Sequence, residues 1–134
     1  SWDELFRSSD ILSIHVPLTD MSRGWITRRE LALMKPTAFL INTARGPIVD
    51  EPALIDALSN GTIAGAALDV YDMEPLPADH PLLQLNNVLL SPHLGYATTS
   101  TINAFLAHSV ENLQAWLAGT PQNVLNPEAL PERR

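Results

Sequence analysis

Ala38-Phe39-Leu40-Ile41-Asn42-Thr43-Ala44-Arg45-Gly46-Pro47 is the stretch that decides the fold. An apolar run stops at the polar Asn42, and Gly46-Pro47 then forces a turn, as where a strand enters a loop. The signals that follow are those of a helix over residues 50–58. Asp50 can cap it, Pro52 suits its first turn and Gly61 follows its end, while Ala53, Leu54, Ala57 and Leu58 make an inward stripe. A second apolar run occupies 63–70. Strand, helix and strand in that order predict a crossover and a parallel pair.

Working outward, apolar runs at 11–16 and 88–90 add two strands, and 27–34 reads as another helix. Continuous apolar strands suit a sheet covered on both faces. The fold class is therefore α/β, with about four parallel strands, in sequence order, and flanking helices. The link from 70 to 88 holds Pro75, Pro77 and Pro81 and reads mostly as loop. A long helix is expected over 98–118, where Ile102, Phe105, Leu106, Leu113, Trp116 and Leu117 recur at three- and four-residue steps before Gly119 and Pro121 end it. Trp2, Trp25, Phe39, Phe105 and Trp116 read as core or interface filling. Residues 120–134 show little periodicity and read as an arm.

Composition narrows the function. The 134 residues suffice for one compact domain, and the 46% hydrophobic share allows a packed core. A net charge of −7 argues against a nucleic-acid surface, which needs clustered Lys and Arg. Arg28-Arg29 and Arg133-Arg134 read as solvated pairs. The absence of cysteine excludes disulfides and thiolate metal sites and fits a reducing, cytoplasmic compartment. The histidines at 15, 80, 93 and 108 lack the helical spacing of a zinc site, so no metal is expected. No apolar run is long enough to span a membrane, and no leader is expected. The chain opens on Ser1-Trp2-Asp3, partway into a helix, and reads as an internal piece of a longer protein.

Three stretches carry candidate chemistry. They are Asn42-Thr43-Ala44-Arg45-Gly46, Leu68-Asp69-Val70-Tyr71-Asp72-Met73-Glu74-Pro75 and Ser91-Pro92-His93-Leu94-Gly95. Each leaves an apolar run for a loop, so Arg45, Glu74 and His93 fall at successive carboxyl ends of one sheet, the rim where open α/β sheets bind ligands. The guanidinium fork of Arg45 suits a carboxylate. Histidine as a residue type can give or take a proton near neutral pH, which makes His93 the candidate for that role. A carboxylate beside an imidazolium favours the charged ring and fixes its tautomer. Such a set suits proton-coupled redox chemistry on a small 2-oxo or 2-hydroxy acid. His80 and His108 read as a loop filler and a solvent-edge residue.

These stretches resemble the D-isomer-specific 2-hydroxyacid dehydrogenases. The resemblance runs from about Leu5 to Pro127 and includes Ser13-Ile14-His15-Val16-Pro17-Leu18-Thr19 and Asn123-Val124-Leu125-Asn126-Pro127. It implies half of a doubly wound, Rossmann-like sheet: residues 1–119 as the C-terminal half of an NAD(P)-binding domain and 120–134 as an arm returning toward a substrate domain. It implies Arg45, Glu74 and His93 as catalytic residues, with Glu74 as the partner of His93. It implies His15, Val16, Pro17, Thr43, Ala44, Arg45, Asp69, His93 and Gly95 as cofactor contacts, with Asp69 taking a hydrogen bond from the carboxamide and Gly95 leaving room for close approach. NAD is the expected cofactor and NADP is possible, because the residue that would choose between them is absent. A homodimer is expected. The Gly-x-Gly-x-x-Gly turn that grips the pyrophosphate is also absent, so this chain alone is expected to be inactive. Two rivals stand beside this reading: a corepressor-like module that senses nucleotide on the same fold, and a flavodoxin-like regulator. Both are disfavoured by the set and order of the motifs.

Overall fold

Four short strands, β1 (Ile11–Ile14), β2 (Phe39–Asn42), β3 (Gly65–Leu68) and β4 (Val88–Leu90), form one parallel sheet in sequence order. The computed structural model describes residues 1–130, so the expected Arg133-Arg134 pair lies outside the described residues. Four helices accompany the strands: α1 (Trp2–Ser8), α2 (Arg28–Leu33), α3 (Glu51–Ser59) and α4 (Thr99–Leu117). The chain divides into two compact units, Ser1–Gly95 and Tyr96–Arg134.

In the first unit the register aligns Leu12, Leu40, Ala66 and Val88 across the sheet, and Ser13, Ile41, Ala67 and Leu89 in the next row. The first of these rows packs into the core or against it. On the other face Ile11, Phe39 and Leu89 are 63%, 49% and 72% exposed. The expectation of helices on both faces is thus corrected. Right-handed crossovers between strands that are neighbours in both sequence and space carry α2 and α3 to the same side.

Sequence-level caps set the helix ends. Asp50 accepts from the Ala53 N–H at the start of α3. Thr27 and Glu30 form a capping box on α2, in which the Glu30 carboxylate accepts from the Thr27 N–H at 3.0 Å and the Thr27 hydroxyl at 2.5 Å. Arg29 donates to Glu30 at 2.8 Å and to Asp3 on α1 at 2.8 Å, while Arg28 pairs with Asp56 on α3. Arg28-Arg29 is therefore a tie between helices as well as an exposed pair. Burial works to raise the Glu30 carboxyl, but the hydrogen bonds from Thr27 and Arg29 win and bring it down to about 2.

The inward stripe of α3, Ala53, Leu54, Ala57 and Leu58, is buried as expected. The aromatic expectation needs correction in its core part. Trp2, Trp25, Phe39, Phe105 and Trp116 all remain exposed, and the aromatic rings that fill the core are those of Phe6 and Tyr71. In the second unit α4 is capped by Thr98, which accepts from the Thr101 N–H, yet α4 buries no residue, so its apolar stripe is uncovered. Tyr96 stacks on Phe105 with ring centroids 6.3 Å apart. The expected arm holds a short turn at Pro127–Ala129.

Candidate active site

The first side chain is presented by the end of β2. Asn42 is buried, and its side-chain amide donates to the Arg45 carbonyl at 2.9 Å while its oxygen accepts from the Ala44 N–H at 3.0 Å. One buried amide thus folds the Thr43–Arg45 turn around itself and sends the exposed Arg45 outward. Gly46 is required next. A Cβ there would lie 2.1 Å from the Tyr71 carbonyl carbon and 2.6 Å from the Asp72 nitrogen, so the two loops touch backbone to backbone.

The end of β3 supplies Asp69, Tyr71 and Glu74. Asp69 is 5% exposed and is bound by the loop after β4. Its carboxylate accepts from the Ser91 hydroxyl at 2.5 Å, the Leu94 N–H at 2.8 Å and the Gly95 N–H at 2.8 Å. Burial would raise this carboxyl; the three donors outweigh it and hold it below its ordinary value. The Tyr71 hydroxyl lies 3.1 Å from the Leu68 carbonyl and 2.8 Å from that of Ser91, bridging strand and loop. Burial pushes this phenol up.

The clamped loop carries His93, whose φ of 56° is in the left-handed region. That conformation costs a non-glycine residue about 1 kcal/mol or more and persists where the surroundings enforce it. His93 Nδ1 lies 2.6 Å from Glu74 Oε2, with side-chain exposures of 36% and 35%. Glu74 Oε1 accepts from the Tyr71 N–H at 3.0 Å. Burial acts to raise the Glu74 carboxyl, but His93, the Tyr71 N–H and the field of Arg45 lower it. Glu74 is thus a carboxylate, and the Nδ1–H of His93 is the donor between them.

Two concavities flank these residues. One, of about 550 Å³, is lined by His15, Val16, Pro17, Leu18, Thr43, Ala44 and Arg45 at the ends of β1 and β2. The other, of about 510 Å³, lies against Tyr71, Glu74, Leu76, Leu83, Leu90 and His93. The sequence-predicted residues therefore form two groups: a groove holding His15, Val16, Pro17, Thr43, Ala44 and Arg45, and a cluster of Asp69, Glu74, His93 and Gly95. Arg45 joins them through its field on Glu74. The groove is lined about equally by polar and apolar surface, with Arg45 among its residues. The space beside Gly95 is taken by the Asp69 carboxylate, since a Cβ there would lie 2.9 Å from Asp69 Oδ2. Sequence reasoning missed Asn42, Tyr71 and Ser91. Their signal was position: polar groups at the carboxyl ends of buried strands.

Comparison with known proteins identifies the family. The NAD-binding domain of the D-isomer specific 2-hydroxyacid dehydrogenases matches residues 1–95. Glyoxylate reductase of Aeropyrum pernix is 50% identical over 135 residues, covering 100% of this chain and 40% of its own length. Glyoxylate/hydroxypyruvate reductase B of Enterobacter agglomerans is 50% identical over 129 residues, covering 96% of this chain and 40% of its own. A crystal structure from Ralstonia solanacearum, provisionally named a D-3-phosphoglycerate dehydrogenase, superposes with a TM-score of 0.92 at 38% identity, over 98% of this chain and 38% of that one. The chain thus spans about 40% of the length of the curated relatives it matches. A strand order that runs with the sequence, a rim carrying Arg45, Glu74 and His93, and these matches lead to one conclusion: the chain belongs to the D-isomer specific 2-hydroxyacid dehydrogenase family and carries part of its NAD-binding domain.

Proposed function

We propose that this chain is the part of an NAD(P)-dependent oxidoreductase that performs proton transfer and carboxylate binding on a small 2-oxo or 2-hydroxy acid. The observation that carries the reading is the 2.6 Å contact between His93 Nδ1 and Glu74 Oε2 at the carboxyl edge of the sheet. Glu74 holds one ring nitrogen as a donor, so the proton exchanged with substrate is that of Nε2. In reduction Nε2–H gives its proton to the oxygen that was the carbonyl; in oxidation neutral Nε2 takes it back. Arg45 binds the substrate carboxylate and polarises the neighbouring carbonyl. When bound, the nicotinamide supplies or accepts the hydride. His15, Val16, Pro17, Thr43 and Ala44 line its groove, NAD being favoured by the family and NADP remaining compatible. Asp69 and Gly95 complete the cofactor side through the loop they tie together.

The same reading places the protein in the cytoplasm as a homodimer, which is in keeping with the absence of cysteine and with the uncovered sheet face. Among the described residues no helix is long and apolar enough to cross a membrane. The chain lacks the glycine turn for the pyrophosphate, so turnover is tested by grafting it in place of the matching segment of Aeropyrum pernix glyoxylate reductase. The graft is expected to oxidise NADH or NADPH with glyoxylate. Arg45→Lys, which keeps charge but loses the fork, is expected to lower kcat/KM about tenfold or more with little change in cofactor affinity. Cofactor binding without turnover would favour the nucleotide-sensing alternative.

A further inference from the structure

We propose that Glu51 and His80 are positioning residues, forming a strap that holds the 72–80 loop so that Glu74 meets His93. The inference rests on the reading of His93 as the proton carrier and deepens it. Glu51 is the first residue of α3 and His80 caps the short turn Pro81–Gln84, far from each other in sequence. Their side chains are only 16% and 15% exposed, and His80 Nε2 lies 3.1 Å from Glu51 Oε1. The other oxygen, Oε2, accepts from the Asp72 N–H at 3.3 Å. One carboxylate therefore grips the loop at residue 72 and at residue 80, and Glu74 stands between the two grips.

The histidine is itself oriented. Its Nδ1 accepts from the Leu82 N–H at 3.3 Å, so the neutral ring carries its proton on Nε2 and donates it to Glu51. Both ring nitrogens and both carboxylate oxygens have partners within the strap. The anchor is firm: Glu51 follows the Arg45–Gly46 turn, whose glycine lies against the Tyr71–Asp72 backbone. Around Asp72, at the near grip, the charged groups are Glu51, Arg23, Asp50 and His80. Glu74, Asp69 and Arg45 are the charges at the His93 end. No substrate group is needed for any of these contacts, so the strap acts on the reaction through Glu74.

The test is the titration of the His93 ring nitrogens by ¹⁵N NMR in the 134-residue chain, with no substrate or cofactor present. Glu51→Ala is expected to move the His93 midpoint in the same direction as Glu74→Gln does, because both weaken the contact of the ring with that carboxylate. Added to Glu74→Gln, it should bring no further shift, because the strap works only through that carboxylate. A direct field of Glu51 on His93 would persist in the Glu74→Gln background and overturn the proposal. So would a lower Tm with an unchanged His93 midpoint, the mark of a helix-end residue and nothing more. Glu51→Gln, which keeps an oxygen for one grip, should restore part of the midpoint. Should Glu51→Ala fail to fold, His80→Ala reads the same midpoint from the other end of the strap. Turnover plays no part in this readout, so a failure here leaves the proposed activity to be judged by its own assay.

Discussion

His93 is held in an unfavourable backbone conformation by a loop that Asp69 binds, while Glu74, farther along the stretch that carries Asp69, faces its ring. Asp69 binds the loop and Glu74 binds the imidazole, so two acids of the same stretch divide positioning and charge between them. This division gives a sign for the pH dependence of reduction. The proposed reduction draws on the protonated ring, and a carboxylate beside an imidazolium favours that form. Glu74→Gln removes that charge, so kcat/KM for reduction in the grafted enzyme should begin to fall earlier as pH rises. An unchanged pH–rate profile in the grafted enzyme would assign another acid to the pair. Arg45 and His93 could be read from the sequence as polar residues just past apolar runs, whereas Glu74 was singled out among neighbouring acids by the family resemblance. Asp69 was legible as a site residue, but its loop-binding role was not: its partners Leu94 and Gly95 are backbone N–H groups, which side-chain identity does not reveal. His80 reads from sequence as a loop filler, because its partner Glu51 lies 29 positions away.

At the scale of elements, patterning and caps carried most of the information. Asp50, Thr27 and Thr98 mark the starts of α3, α2 and α4, and each side chain accepts from a backbone N–H one turn on. Strands β1 and β3 are shorter than their apolar runs; of the run over 63–70 only Gly65–Leu68 pairs in the ladder, and Asp69 just beyond it goes to the site. The α2 cap has a thermodynamic consequence. Folding lowers the Glu30 carboxyl from 4.5 to about 2, so its contribution is fully present above the unfolded value and is lost as pH falls toward 2. Glu30→Gln should destabilise the chain by roughly 1–2 kcal/mol at pH 7. The gap between the two proteins should narrow between pH 4.5 and pH 2. Urea unfolding at pH 7 and at pH 3 measures it, and a gap that stays constant would show that the box contributes no charge-dependent stability.

For the molecule as a whole, sheet order and burial set the behaviour. Periodicity gave the strands and the family resemblance their arrangement, but neither gave which faces are covered, because an apolar residue reads alike whether a helix lies over it or a second protein surface does. The sheet has one covered face, and Ile11, Phe39 and Leu89 lie exposed on the other. Strand β1 is an edge, open to pairing along its free side. The isolated chain should therefore self-associate, and sedimentation velocity over a range of concentrations should show a dimer or larger species; a monomer at every concentration would contradict the exposed-face account. The central claim is that His93, held by Glu74, moves the proton. Its most direct test is His93→Ala in this chain grafted into Aeropyrum pernix glyoxylate reductase in place of the matching segment, with glyoxylate-dependent NADH oxidation measured alongside NADH binding by fluorescence. The account predicts turnover lower by about 10²–10⁴-fold with cofactor affinity unchanged; a variant that keeps most of its kcat at neutral pH would contradict it.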